Sequence, residues 1–106
     1  MHDQLQIRMK GELDADRLSS FRREVGLTPR GRLDDDWDEE FGRRELRTAE
    51  QGRVKVSLWR YAHDDWMVSL DYARDPLPAE ETEALRQVIL DAAARAGLTV
   101  TAQVSS

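Results

Sequence analysis

The sequence contains no cysteine, only three prolines and no uncharged run long enough to span a bilayer. The absence of cysteine excludes disulfides, iron–sulfur clusters, thiolate zinc sites and cysteine nucleophiles. The first residues lack the basic-then-apolar pattern of a secretory signal, so we expect a cytoplasmic protein that is not inserted in a membrane. The six glycines are too widely spaced for a phosphate-binding loop, which argues against nucleotide chemistry.

Length and charge limit the class of protein further. The 106 residues predict one α/β domain over residues 1–106, because this length is typical of a single hydrophobic core. The net charge of −5 argues against nucleic acid or an anionic membrane as the main partner. Charge is also segregated along the chain. Residues 33–42 contain six acids and no base, whereas the flanking segments 17–32 and 43–61 are net basic.

The spacing of apolar residues predicts six regular elements. Period-two alternation predicts four strands, of which the second and third form a hairpin, at residues 5–9, 54–58, 66–72 and 98–104. One helix is predicted after Asp14, a good N-cap residue, and a second between Pro78 and Gly97. The resulting order predicts a ferredoxin-like split βαβ fold (β-α-β-β-α-β), an antiparallel sheet with two helices on one face.

Two apolar faces are predicted in more detail. The second helix shows a single stripe at helical spacing, formed by Leu85, Val88, Ile89, Ala92, Ala93 and Ala96. Alternation along the last strand places four residues on its buried side, namely Leu98, Val100, Ala102 and Val104. Both faces are expected to pack into the core.

Residues 27–50 do not fit the six-element pattern, and we interpret them as a charged insertion. A structureless loop of this length is uncommon inside a compact domain. One alternative is an extra edge strand within residues 43–50 that turns near residues 50–52 into the following strand. A short helix through residues 37–46 and local disorder are the other two. Trp37, Phe41 and Leu46 argue against complete disorder.

Six acids surround Trp37 in this insertion, and Phe41 follows them. Such a segment would dock on a basic surface, because its charges speed encounter and its aromatic residues serve as anchors. The candidate partner-binding residues are Asp34, Asp35, Asp36, Trp37, Asp38, Glu39, Glu40 and Phe41. The competing interpretation is a solvated loop whose acids pair with neighbouring arginines. The spacing of the acids does not match a calcium-binding loop, so we predict no metal site.

The polar side of the predicted sheet is a second candidate surface. Its candidate site residues are Arg8, Lys55, Trp59, Tyr61 and Met67. A homodimer through this face, or cover by the insertion, is favoured over RNA binding. The reason is that the chain is acidic and lacks the glycine-and-aromatic signature of RNA-recognition domains. His63 lies in the predicted hairpin loop, where a solvent-exposed turn residue is the simpler interpretation.

These features predict a non-enzymatic interaction protein with no catalytic residues, no metal and no cofactor. We expect an inhibitor or immunity-type protein that binds a basic partner protein through its acidic-aromatic segment. The alternative from another class is a small dimeric ligand-binding protein or enzyme with a pocket between the sheet and the helices.

Overall fold

A computed structural model describes residues 2–48 and 52–105 of the chain. The architecture is α+β, with an open antiparallel sheet of six strands and two helices. The elements in chain order are β1 (His2–Lys10), α1 (Ala15–Val25), β2 (Thr28–Pro29), β3 (Glu40–Arg47), β4 (Arg53–Ala62), β5 (Asp65–Tyr72), α2 (Ala79–Arg95) and β6 (Thr99–Ser105). The strands lie side by side in the order β2-β3-β4-β5-β1-β6.

Helix α1 begins and ends where the sequence predicts. The Asp14 side chain accepts a hydrogen bond from the Arg17 backbone N–H at 2.8 Å, which satisfies one of the free donors of the first turn. Gly26 adopts a left-handed conformation with φ of 81° and stops the helix. Leu18, Phe21 and Val25 are buried on one face.

Helix α2 follows Pro78 and carries Glu80 and Glu81 in its first turn, where the helix dipole favours negative charge. Its buried residues are Thr82, Leu85, Ile89, Ala92 and Ala93. The predicted stripe is wrong at Val88, which is 40% exposed. Val88 lies at the edge of the buried face of α2, beside an open groove that Leu46 and Leu77 also line.

The core lies between one face of the sheet and the two helices. Alternate residues of three central strands are fully buried there, namely Leu5, Ile7 and Met9 of β1, Val54, Val56 and Leu58 of β4, and Trp66, Val68 and Leu70 of β5. They form one cluster with the apolar residues of α1 and α2. The helices therefore cover the inner face. We call the opposite side, which carries Ser57 and Ser69, the open face.

The insertion extends the sheet at one edge. Strand β3 pairs with β4, and the short β2 pairs with β3, so the sheet has six strands and its order differs from the predicted four-stranded arrangement. The extra edge strand within 43–50 is confirmed in part, because β3 covers Glu40–Arg47. The helix through residues 37–46 is wrong. The turn predicted near residues 50–52 falls largely on residues 49–51, which lie outside the described part of the chain.

Strand β6 differs from its prediction because of a β-bulge. Arg8 pairs with Ala102 and the next residue, Met9, pairs with Val100, so Thr101 is an extra residue on β6. One extra residue moves the following side chains to the other face. Val104 therefore lies beside Gln6 on the open face and is 59% exposed. Neither described helix is long and apolar enough to cross a membrane.

Candidate binding surfaces

The segment between β2 and β3, residues 30–39, is anchored to the core by a buried arginine. We call this segment the acidic loop. Arg60 of β4 is 6% exposed and points to the inner face. Its guanidinium donates hydrogen bonds to the Leu33 carbonyl at 3.2 Å and to the Asp35 carbonyl at 2.8 Å. The Arg60 backbone N–H also donates to the Glu39 carbonyl at 2.8 Å. The loop backbone is thus fixed at three points.

The same guanidinium packs against two aromatic rings. Its central carbon lies 4.5 Å from the centroid of Phe41 and 5.9 Å from that of Trp66. Phe41 and Trp66 meet edge to face, with ring centroids 5.3 Å apart. A buried guanidinium between aromatic faces retains a favourable interaction for its charge, which offsets part of its desolvation. Sequence reasoning missed Arg60, although it continues the alternation of Val54, Val56 and Leu58 toward the core.

Three of the six acids stabilise the loop itself. The Asp35 side chain accepts a hydrogen bond from the Trp37 backbone N–H at 2.9 Å. Asp38 accepts one from the Arg32 backbone N–H at 2.7 Å. Glu40 forms ion pairs with Arg43 at 3.1 Å and Arg30 at 3.5 Å. These three acids are only partly exposed, so this half of the cluster follows the solvated-loop interpretation.

The other three acids, Asp34, Asp36 and Glu39, are exposed and lie close to Trp37 in the chain. Asp36 forms one contact, with His63 at 3.2 Å, between side chains that are 77% and 71% exposed. Such an exposed pair contributes little to stability. Trp37 itself is 92% exposed. The loop therefore holds a large aromatic side chain in solvent, with exposed carboxylates on both sides of it.

Phe41 does not belong to this surface. It is completely buried and is part of the core cluster. The cause is a second β-bulge: Glu40 pairs with Trp59 and Gly42 with Leu58, so Phe41 is an extra residue on β3. Phe41 was predicted to bind a partner, but its burial removes it from the surface that a partner can reach. Trp37 is the single aromatic residue of the segment that a partner can reach in this structure.

The five candidate residues of the sheet lie together on or beside the open face. Trp59, Met67 and Arg8 are in register across β4, β5 and β1. Lys55 lies further along β4, and Tyr61 stacks under Arg8, whose guanidinium carbon is 5.0 Å from the ring centroid. Their exposure differs widely, because Met67 is 7% exposed and Tyr61 is 55% exposed. The side chains of the open face thus shield one another from solvent in part.

A chain of hydrogen bonds crosses the centre of the open face. The Trp59 indole N–H donates to the Ser69 hydroxyl at 3.0 Å, and that hydroxyl donates to Asp71 at 3.4 Å. Three buried side-chain atoms have no partner among the described residues, namely Arg43 Nε, Ser57 Oγ and Asp71 Oδ1. Arg43 and Ser57 pair across β3 and β4, and Asp71 lies on the same face opposite Lys55. Burying such atoms without a partner is unfavourable.

The pKa of Asp71 is raised above its ordinary value. Burial raises the pKa of Asp71 to about 6, and a hydrogen bond to Asp3 with charge repulsion from it acts in the same direction. The Ser69 hydrogen bond and the Lys55 charge oppose this rise. Asp71 therefore titrates close to neutral pH, within the layer of side chains that covers the sheet.

No three histidine, cysteine or acidic side chains within residues 2–48 and 52–105 are close enough to hold a metal ion. His63 contacts Asp36 across the loop, whereas Asp65, two positions further along, pairs with Arg8 at 2.9 Å and Lys10 at 4.0 Å. A comparison with models of known families, with curated proteins and with solved structures finds no match to this chain.

Proposed function

We propose that the chain is a non-enzymatic interaction protein that binds a basic partner protein through the acidic loop, as an inhibitor or immunity-type protein would. The observation that carries this proposal is the exposure of Trp37, 92%, on a loop whose backbone is fixed by the buried Arg60. An exposed tryptophan is unfavourable in water. It is typical of a residue that becomes buried in a complex.

The loop satisfies two requirements of a binding site. Its backbone is preorganised by hydrogen bonds from Arg60, so little conformational entropy is lost on association. Its exposed carboxylates, Asp34, Asp36 and Glu39, surround the aromatic anchor and can meet Lys or Arg side chains at the rim of an interface. Asp35, Asp38 and Glu40 have a different role, because their side chains hold the loop in shape.

The finer fold assignment is also a proposal. We propose a ferredoxin-like split βαβ domain in which β2 and β3 are added at one edge. Without these two strands, the order is β4-β5-β1-β6. In this order the strands joined through α1 (β1 and β4) are separated by β5, and those joined through α2 (β5 and β6) are separated by β1. This interruption of both βαβ units supports the assignment. We further propose a cytoplasmic location.

The alternative, a small dimeric ligand-binding protein or enzyme, finds less support. Buried side chains fill the centre of the space between the sheet and the helices. An open pocket remains at its margin, between Gln4, Thr82 and Arg86. A second copy would meet the open face around Trp59 and Tyr61. The buried atoms without partners on that face are the observation in its favour.

Affinity capture with matched variants tests the proposal. The wild type, Trp37→Ala, and a triple variant (Asp34→Asn, Asp36→Asn, Glu39→Gln) are immobilised and exposed to protein from the source cells. We expect a basic protein on the wild type that is lost from Trp37→Ala, and that binds the triple variant more weakly with a flatter salt dependence. The control neutralises three exposed acids elsewhere (Asp16→Asn, Glu80→Gln, Asp91→Asn) and should bind like the wild type. Equal recovery on the wild type and Trp37→Ala would refute the proposal.

A further inference from the structure

The two edges of the sheet are protected to different degrees. At one edge, β2 consists of two residues, and Pro29 has no backbone N–H to offer another strand. At the other edge, the seven residues of β6 pair with β1 on one side only. Their backbone groups on the outer side have no neighbouring strand within the described chain. An edge of this length is a template for another strand.

The composition of β6 makes this edge unusual. Proteins commonly protect an edge strand with lysine, other charges or proline. The residues of β6, Thr99–Ser105, include no charged residue and no proline, although 35% of the chain is charged. Each of the other strands longer than two residues carries at least two charged side chains. Strand β6, whose outer edge is unpaired, is thus the only strand of more than two residues in the described chain that has no charged residue.

We propose that two copies of this chain pair antiparallel along β6 and form one continuous sheet of twelve strands. The bulge at Thr101 leaves Ala102 to Ser105 as the regular part of the strand. A two-fold axis near Gln103 places Ala102 of one copy opposite Val104 of the other. The strand residues that face each other across this axis carry no charge, and the exposed Val104 gains an apolar neighbour. Arg86 of α2, which donates a hydrogen bond to the Gln103 side chain at 2.7 Å, lies on the inner side of the axis.

The dimer goes beyond the proposed function, because it uses the edge of the sheet that lies farthest from the acidic loop. In the order β2-β3-β4-β5-β1-β6, the loop precedes β3 at one edge and β6 forms the other edge. The two Trp37 side chains of the dimer therefore lie at its opposite ends. Dimerisation can be measured without any knowledge of the partner that the acidic loop binds.

Light scattering across a dilution series is the first test. The wild type is expected at twice the monomer mass at high concentration and at the monomer mass when diluted. A monomer at every concentration would overturn the proposal. The chain would also be a monomer if β6 paired only with a strand of a different protein, and that result would likewise overturn the proposal.

A charge exchange tests whether β6 is the contact. Ala102 and Val104 are exposed on the same face, so substitutions there should not disturb the core. The pair Ala102→Lys with Val104→Lys, and separately Ala102→Glu with Val104→Glu, place like charges opposite each other and should each give monomers. An equimolar mixture should restore the dimer. Val88→Lys, an exposed control on α2, should dimerise as the wild type does, and circular dichroism confirms folding. A dimer that persists in both double variants would overturn the proposal.

Engineered cysteines locate the axis, because the natural chain contains none. Gln103→Cys places the thiols of the two copies next to each other at the two-fold axis. Mild oxidation should therefore produce a disulfide-linked dimer. Lys55→Cys places its thiol on the open face and should run as a monomer on a non-reducing gel. Cross-linking of Lys55→Cys without cross-linking of Gln103→Cys would show a face-to-face dimer and overturn the edge assignment.

Discussion

The acidic loop and the open face each combine a tryptophan with several charged side chains, but they present those side chains differently. In the loop, Trp37 is 92% exposed and the backbone beneath it is held by Arg60. On the open face, Trp59 is half-buried and its N–H is bonded to Ser69. The loop thus has a fixed backbone and an exposed tryptophan, whereas the side chains of the open face contact one another. This contrast favours the loop as the surface that meets a partner.

The largest effect is expected at the two aromatic residues of the insertion. Phe41→Ala should reduce the free energy of unfolding by about 3–5 kcal/mol, because it leaves a cavity beneath Arg60 and beside Trp66. Trp37→Ala should change stability by less than about 0.5 kcal/mol, since it removes an exposed side chain. Urea unfolding of both variants measures the difference. Similar losses in the two variants would mean that Trp37 is packed in solution, and the contrast between loop and core would fail.

A smaller effect is expected at Arg60. Replacement by methionine keeps an apolar stem but removes the donors to the Leu33 and Asp35 carbonyls, so we expect a loss of about 2–3 kcal/mol. The loop should also become accessible to trypsin at Arg30 and Arg32. Denaturant unfolding and limited tryptic digestion read out the two effects.

Arg53→Met is the matched control, because Arg53 is an exposed arginine on the same strand. It should leave both stability and the rate of loop cleavage close to the wild type. If Arg60→Met leaves the cleavage rate unchanged, the loop is held by its own acids, and the anchoring role of Arg60 is refuted.

Local signals in the sequence predict much of the fold. The Asp14 cap, the glycine after α1, the β4–β5 hairpin and the helical spacing of α2 each depend on residues close together in the chain. Strands β2 and β3 were harder to predict, because an added edge strand is held by pairing with a distant part of the chain. The short motif around Pro29 contains no alternation from which a strand could be recognised.

The candidate site was predicted in part, and bulges explain the errors. Alternation places side chains correctly only while each residue has one partner across the sheet. The extra residue at Phe41 turns that ring inward, and the extra residue at Thr101 turns Val104 outward. A bulge depends on the partner strand, so neither position could be read from its own segment. The acidic run predicted where the loop lies. It did not predict which acids would bond within the loop and which would stay exposed.

The smallest effect on stability is expected at Asp71, on the open face. Because burial raises the pKa of Asp71 from 3.8 to about 6, the folded state holds this proton more strongly than the unfolded state does. Wild-type stability therefore falls as pH rises through this window, and the loss is complete above it. Asp71→Asn cannot ionise and should avoid the loss. After allowance for partial solvent screening, we expect the variant to be about 1–2 kcal/mol more stable than the wild type near pH 8, with the difference vanishing near pH 4. Urea unfolding across this range measures the difference, and the exposed Asp91→Asn should show none. A difference that does not vary with pH would show that Asp71 is solvated, and that the open face is as free as the loop.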